Sequence, residues 1–142
     1  MDVSQPNYTV TYQDPLRTTS VHLASGQSLI TDAPVDNHGL GQAFSPTDLL
    51  STSLAACIMT IMGIHASSKP FTLESIEAQV QKTMASNPRR VDAIEMEIDV
   101  NISGVCSDQD LLVLERVARA CPVAKSLHPD VRQVLSFRFY RV

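Results

Sequence analysis

Apolar and polar positions change period several times along this chain, and each change marks an element. Tyr8, Val10 and Tyr12 alternate with Thr9, Thr11 and Gln13, the two-residue period of a half-exposed strand. Asp14–Pro15 is a turn signal. A second strand is predicted around Thr18–Ala24, and Ser25–Gly26 turns the chain into a third around Gln27–Asp32. Two close turns between three short strands describe an antiparallel meander. Ala33 to Ala43, with Pro34, Asn37, Gly39 and Gly41, has no period and reads as a loop.

From Ser45 to His65 the chain is almost uncharged and apolar on most helical faces, so one long helix in the middle of a domain is expected. Ser45 suits the N-cap, Pro46 the first helical position, and Asp48 completes a Ser-x-x-Asp capping box. Ala55, Ala56 and Gly63 keep the helix slim, and Ser67, Ser68 and Pro70 end it. Ile76, Ala78 and Val80 then alternate with Glu77, Gln79 and Gln81 in a strand over Phe71–Lys82. After a turn at Asn87–Pro88, Ile94, Met96, Ile98, Val100 and Ile102 alternate with Glu95, Glu97, Asp99 and Asn101 over Ala93–Ser103. These two strands predict a hairpin. Ser107 with Asp110 repeats the capping-box pattern, and Leu111, Leu114, Ala118 and Cys121 follow at helical spacing. Pro122 interrupts that helix and Pro122–Leu127 starts another short one. A last strand runs over Val134–Val142. The order βββ-α-ββ-α-α-β is an α+β arrangement, and 142 residues with no linker or repeat read as one domain, 1–142.

Composition narrows the function classes. A net charge of −4, with Arg89–Arg90 the only adjacent basic pair, argues against nucleic acid as a partner. Leu49–Ile64 lacks charge but falls short of the roughly 20 residues of a membrane span and carries Ser51, Thr52, Ser53 and Thr60, so a core helix is expected and no membrane partner. No basic segment followed by an apolar run begins the chain, and three cysteines is an odd number. Reduced thiols in a cytoplasmic protein are expected. Zinc would need paired ligands at short spacing, which neither the cysteines nor His22, His38, His65 and His128 provide. No Gly-rich phosphate loop or G-x-S-x-G occurs, so no cofactor is expected.

The remaining chemistry lies in cysteine. Cys57 sits in the long helix, and Cys121 stands at a helix break 64 positions later. With Pro122 opening the next helix, Cys121 suits either an N-cap or a last-turn position, where free backbone N–H groups lower a thiol pKa, and Lys125 lies four residues on. Free cysteines also pack as small apolar groups, and for both residues the two readings stand open. Cys106, in a Gly-Val-Cys-Ser turn, reads as incidental. A Cys–His hydrolase would need a histidine beside Cys57, which spacing does not place.

Two segments resemble a known family. FSPTDLLSTSLAAC, ending at Cys57, resembles the helix start Pro-x-[Glu/Asp]-Leu-Leu…Ala-x-Cys of the OsmC/Ohr family of osmotically inducible and organic hydroperoxide resistance proteins. ACPVAKSL, from Ala120 to Leu127, resembles that family's second cysteine motif. Element order and cysteine spacing agree as well, so the resemblance spans nearly the whole chain. It implies curved antiparallel sheets around a long central helix, an intertwined homodimer with active sites at its interface, and a thiol peroxidase acting on organic hydroperoxides. In that chemistry Cys57 is the peroxidatic thiol, Cys121 the resolving thiol, and a lipoyl- or thioredoxin-like dithiol the reductant.

The resemblance also implies an activating arginine from the N-terminal strands and an acid in the first turn of the central helix. Arg17 is the only arginine before that helix, and Asp48 the only acid in its first turn. Asp48 matches a subgroup with the acid nine residues before the cysteine. Other members carry glutamate ten before, where this chain has Thr47, and a shift of one position turns a side chain about 100° around the helix. Asp48 is therefore either partner to Arg17 or only a cap contributing about 0.5–2 kcal/mol. Arg17 is either the activating cation or a solvated turn residue, with Arg89 and Arg90 as alternative cations. Leu50, Leu54, Ile58, Ile61 and Met62 are either a lining for an apolar substrate or ordinary core. A second function class also remains: a dimeric module that senses redox state or binds a small apolar ligand.

Overall fold

A computed structural model describes residues 4–142. Its elements are strands β1 (Tyr8–Gln13), β2 (Arg17–His22) and β3 (Ser28–Asp32), a single 3-10 turn (Val35–Asn37), helix α1 (Pro46–Ala66), strands β4 (Phe71–Ser86) and β5 (Arg89–Gly104), helices α2 (Asp108–Arg119) and α3 (Pro122–Ser126), and strand β6 (Arg132–Arg141). The expected α+β order is observed. The chain divides into two compact units, Met1–Leu49 and Leu50–Val142.

In the first unit β1, β2 and β3 form an antiparallel sheet in that order. The pairs Val10↔Ser20 and Ser20↔Leu29 set Tyr8, Val10, Tyr12 and Leu29 on one face, while Gln13↔Arg17 and Arg17↔Asp32 set Arg17 and Asp32 on the other. The apolar face is bare: Tyr8 is 63% exposed, Val10 66% and Tyr12 60%. The buried side chains among residues 4–49 are Thr31, Asp32 and Ser45, all polar. The loop after β3 folds back on itself through Gly39, where a Cβ would meet the Ala33 carbonyl oxygen at 1.7 Å.

In the second unit β4, β5 and β6 form the other sheet. The β4–β5 hairpin is longer at its tip than the alternation predicted, pairing Met84 with Val91 and Ala85 with Arg90. A register shift between Thr83 and Met84 explains the difference, because a bulge breaks the two-residue period by which a strand is recognised. The expectation of wholly antiparallel sheets fails at β6, which runs parallel to β5. Helices α2 and α3 carry the chain back across the sheet, the kind of crossover a parallel pair requires.

Ile94, Met96, Ile98, Val100 and Ile102 of β5 line the core with Leu54, Ile58 and Met62 of α1 and Leu114 and Ala118 of α2. The buried residues of α1 are Ser51, Leu54, Ala55, Ile58, Met62 and Ala66, one face at helical spacing. Its 21 residues are long and apolar enough to cross a membrane, but this face is built into the core. The expected place in the middle of a domain is met on that face alone: Thr52, Ser53, Ala56, Thr60, Gly63 and Ile64 are exposed. Of the apolar residues considered as a substrate lining, Leu54, Ile58 and Met62 are fully buried core. Ile61 packs half-buried against that core and Leu50 is exposed.

Candidate active site

Cys57 lies on α1 at the border between its buried stripe and its exposed face, half-buried and packed against the core. Cys121 is fully buried. Its backbone is extended, with φ −64° and ψ 153°, and caps α3, with Pro122 at the first helical positions. The Ala124 N–H donates to the Cys121 sulfur at 3.4 Å, and the Val123 N–H also favours the thiolate there. The Cys57 and Cys121 side chains lie close enough to act on each other electrostatically, so the two residues singled out in the sequence meet within one unit.

The N-cap was expected to lower the Cys121 pKa, and the net direction is the opposite. Burial pushes the thiol up, the Ala124 N–H opposes it, and the neighbouring Cys57 thiol pushes it up further. A five-residue helix start does not overcome desolvation. Cys121 is thus held toward its protonated form, beside the more accessible Cys57. Lys125 points into solvent on the exposed side of α3. Cys106 is half-buried before α2, its sulfur 3.8 Å from the Ser107 carbonyl oxygen. Burial and the charges of Asp110 and Asp108 raise its pKa, against Arg141.

Arg17 opens β2 directly opposite Asp32. Its Nε donates to Asp32 Oδ1 at 2.7 Å and its Nη2 to Asp32 Oδ2 at 2.9 Å. Nη2 donates as well to Gln42 Oε1 at 2.9 Å, and the Gln42 N–H donates to Asp32 Oδ2 at 3.0 Å. The solvated-turn reading of Arg17 is therefore replaced by a two-point ion pair. The Arg17 hydrogen bond, against the cost of burial and with help from Gln42, holds the Asp32 carboxyl below the usual carboxylate range.

Asp48 completes the capping box: its Oδ2 accepts the Ser45 N–H at 2.9 Å, and the Asp48 N–H donates to Ser45 Oγ at 3.0 Å. The acid that holds Arg17 is Asp32. Neither Asp32 nor Gln42 was found from the sequence, although Arg17 and Asp32 lie nearly symmetrically about the Ser25–Gly26 turn, and that symmetry is the signal for their pairing. Arg90 donates to the Val91 carbonyl and pairs with Asp92 at 3.6 Å.

The histidines of the second unit give the hydrolase reading no support. His65 is eight residues beyond Cys57 on the same helix, about 12 Å along its axis, and His128 is an exposed partner of Asp130.

An α+β chain with one cysteine on a central helix and a second capping a short helix beside it defines a two-thiol protein. Residues 39–135 match the family model described as OsmC-like protein. A solved structure from Psychrobacter arcticus 273-4, of a protein named for osmotic stress induction and a detoxification response, is 46% identical, with 94% of this chain and 96% of that chain covered and a TM-score of 0.88. The chain belongs to the OsmC-like family. The same fold occurs in the organic hydroperoxide resistance protein OsmC of Legionella pneumophila (15% identity, 94% and 98% covered, TM-score 0.64). It occurs again in the organic hydroperoxide resistance protein OhrB of Bacillus subtilis (19%, 92% and 97%, TM-score 0.62). No curated protein matches the chain in sequence.

Proposed function

We propose that this protein reduces organic hydroperoxides through the Cys57–Cys121 pair. The observation that carries the reading is the proximity of a half-buried thiol, Cys57, to a fully buried one, Cys121, at a helix N-cap. Family membership supports it, as do the fold relatives named for organic hydroperoxide resistance. Cys57, as thiolate, attacks the terminal peroxide oxygen. The O–O bond breaks, the alkoxide leaves and takes a proton to become the alcohol, and Cys57 becomes a sulfenic acid. The Cys121 sulfur then attacks the Cys57 sulfur. An S–S bond forms, and the hydroxyl leaves with the Cys121 proton as water. Two electrons have passed from the thiol pair to the peroxide, and an external dithiol of lipoyl or thioredoxin type returns them.

In this reading Arg17 is the cation that favours the Cys57 thiolate in the assembled protein, and the assembly is a homodimer in the cytoplasm. The bare apolar face of the first sheet and the uncovered face of α1 support a second copy as the cover. The test is consumption of cumene hydroperoxide with dithiothreitol as reductant. Wild type is expected to turn over, Cys57→Ser to fall to background, and Cys121→Ser to complete one turnover and stall. Full activity in Cys57→Ser overturns the mechanism. A wild-type protein that consumes no hydroperoxide rejects catalysis in favour of a redox-sensing or ligand-binding module.

A further inference from the structure

We propose that Asp32 is the positioning residue for Arg17, a buried carboxylate that fixes the plane of the guanidinium and the edge it presents. The proposal rests on the reading above, in which Arg17 favours the Cys57 thiolate.

Asp32 faces Arg17 across the β2–β3 ladder, so the backbone register alone brings the two side chains together. Nε and Nη2 of Arg17 bind the two oxygens of the one carboxylate, and two parallel N–H···O bonds fix the plane of a guanidinium as a single contact does not. Gln42 Oε1 takes the other Nη2 hydrogen. A guanidinium has five donors, and with three engaged here the remaining two are both on Nη1. The fork therefore selects one end of Arg17 for an anion.

The carboxylate is itself held. Asp32 is 0% exposed, its Oδ2 accepts the Gln42 N–H, and its own N–H donates to the Phe44 carbonyl oxygen at 3.1 Å. The next residue is tied as well, the Ala33 N–H donating to the Leu16 carbonyl oxygen at 3.1 Å. On the ladder beside it, the Thr18 and Thr31 hydroxyls bond to each other at 2.5 Å. A buried charge survives only with partners, and Asp32 has them on both oxygens. Its negative charge also offsets that of Arg17. Its use to Arg17 is thus orientation, and the two effects make opposite predictions when Asp32 is neutralised.

The test compares wild type, Asp32→Asn, Arg17→Gln and the double variant, following the rate of Cys57 alkylation by iodoacetamide at pH 7 by peptide-resolved mass spectrometry, beside kcat/KM for cumene hydroperoxide. Lost positioning slows alkylation and lowers kcat/KM about tenfold in Asp32→Asn, and the double variant is no worse than Arg17→Gln. Faster alkylation in Asp32→Asn, as expected from removal of a negative charge alone, overturns the proposal. So do unchanged rates or losses that add. Should Asp32→Asn fail to fold, Gln42→Leu on an exposed side chain removes one acceptor from Nη2. A fall of about threefold supports the fork, and no change overturns it. Because alkylation needs no peroxide, an Asp32-dependent Cys57 in a protein inert to hydroperoxide retains the positioning and rejects the peroxidase.

Discussion

In residues 50–142, Leu54, Ile58, Ile98 and Leu114 are fully buried among one another, whereas in residues 4–49 the buried side chains are Thr31, Asp32 and Ser45. The second unit is held by dry packing, in which each fully buried aliphatic side chain contributes about 1.5–3 kcal/mol. The first is held by a ladder of backbone bonds, a hydroxyl pair and the Arg17–Asp32–Gln42 network. Its apolar side chains point outward instead, with Tyr8, Val10 and Leu29 around a concavity of about 570 Å³. A sheet of under 50 residues without an apolar core is below what ordinarily folds alone. The contrast fits the proposed chemistry. The thiol pair sits in the unit that carries the apolar core, and Arg17 sits in the unit whose apolar surface is exposed.

Three perturbations would break or sharpen that contrast. Leu54→Ala removes a fully buried side chain from the dry core and is expected to cost about 2–5 kcal/mol in denaturant unfolding. A cost well below that range would deny the core its role. Val10→Asp puts a charge on the bare sheet face. If the proposed second copy covers this face, the substitution is expected to raise the dissociation constant of that dimer at least tenfold, roughly 1.4 kcal/mol, in analytical ultracentrifugation, and an unchanged assembly would remove the second copy as the cover.

The third and smallest effect concerns acid. The folded-state pKa of Asp32 lies below its unfolded value of 3.8. Its stabilisation is thus present above that value and is lost as pH falls through the depressed folded pKa. Near-ultraviolet tyrosine signals should report a loss of order below about pH 4 that is weaker in Asp32→Asn. An identical acid profile in the two proteins would mean that the ion pair contributes nothing to this unit.

Much of the fold was legible because each element carries its own period: alternation in β1, β5 and β6, helical spacing in α2, and capping boxes at Ser45 and Ser107. What escaped depends on positions far apart in the chain. The tip of the β4–β5 hairpin was hidden by a bulge, and the parallel pairing of β6 depends on the path taken by α2 and α3. Cys57 and Cys121 were legible as motifs, but their contact is a product of the core that encloses them. The upward shift of the Cys121 thiol was missed because local geometry shows the helix start and not the burial that outweighs it. Asp32 was missed for a related reason. The carboxylate was sought in the first helical turn, where Asp48 serves the cap, while strand register supplied another.

The most direct test of the central claim is to treat the reduced protein with one equivalent of cumene hydroperoxide, without reductant, and map its thiols by mass spectrometry. A disulfide joining Cys57 to Cys121, with Cys106 still reduced and one equivalent of alcohol released, is the expected result. Peroxide consumed while Cys121 remains a free thiol, or no oxidation of Cys57 at all, would contradict it.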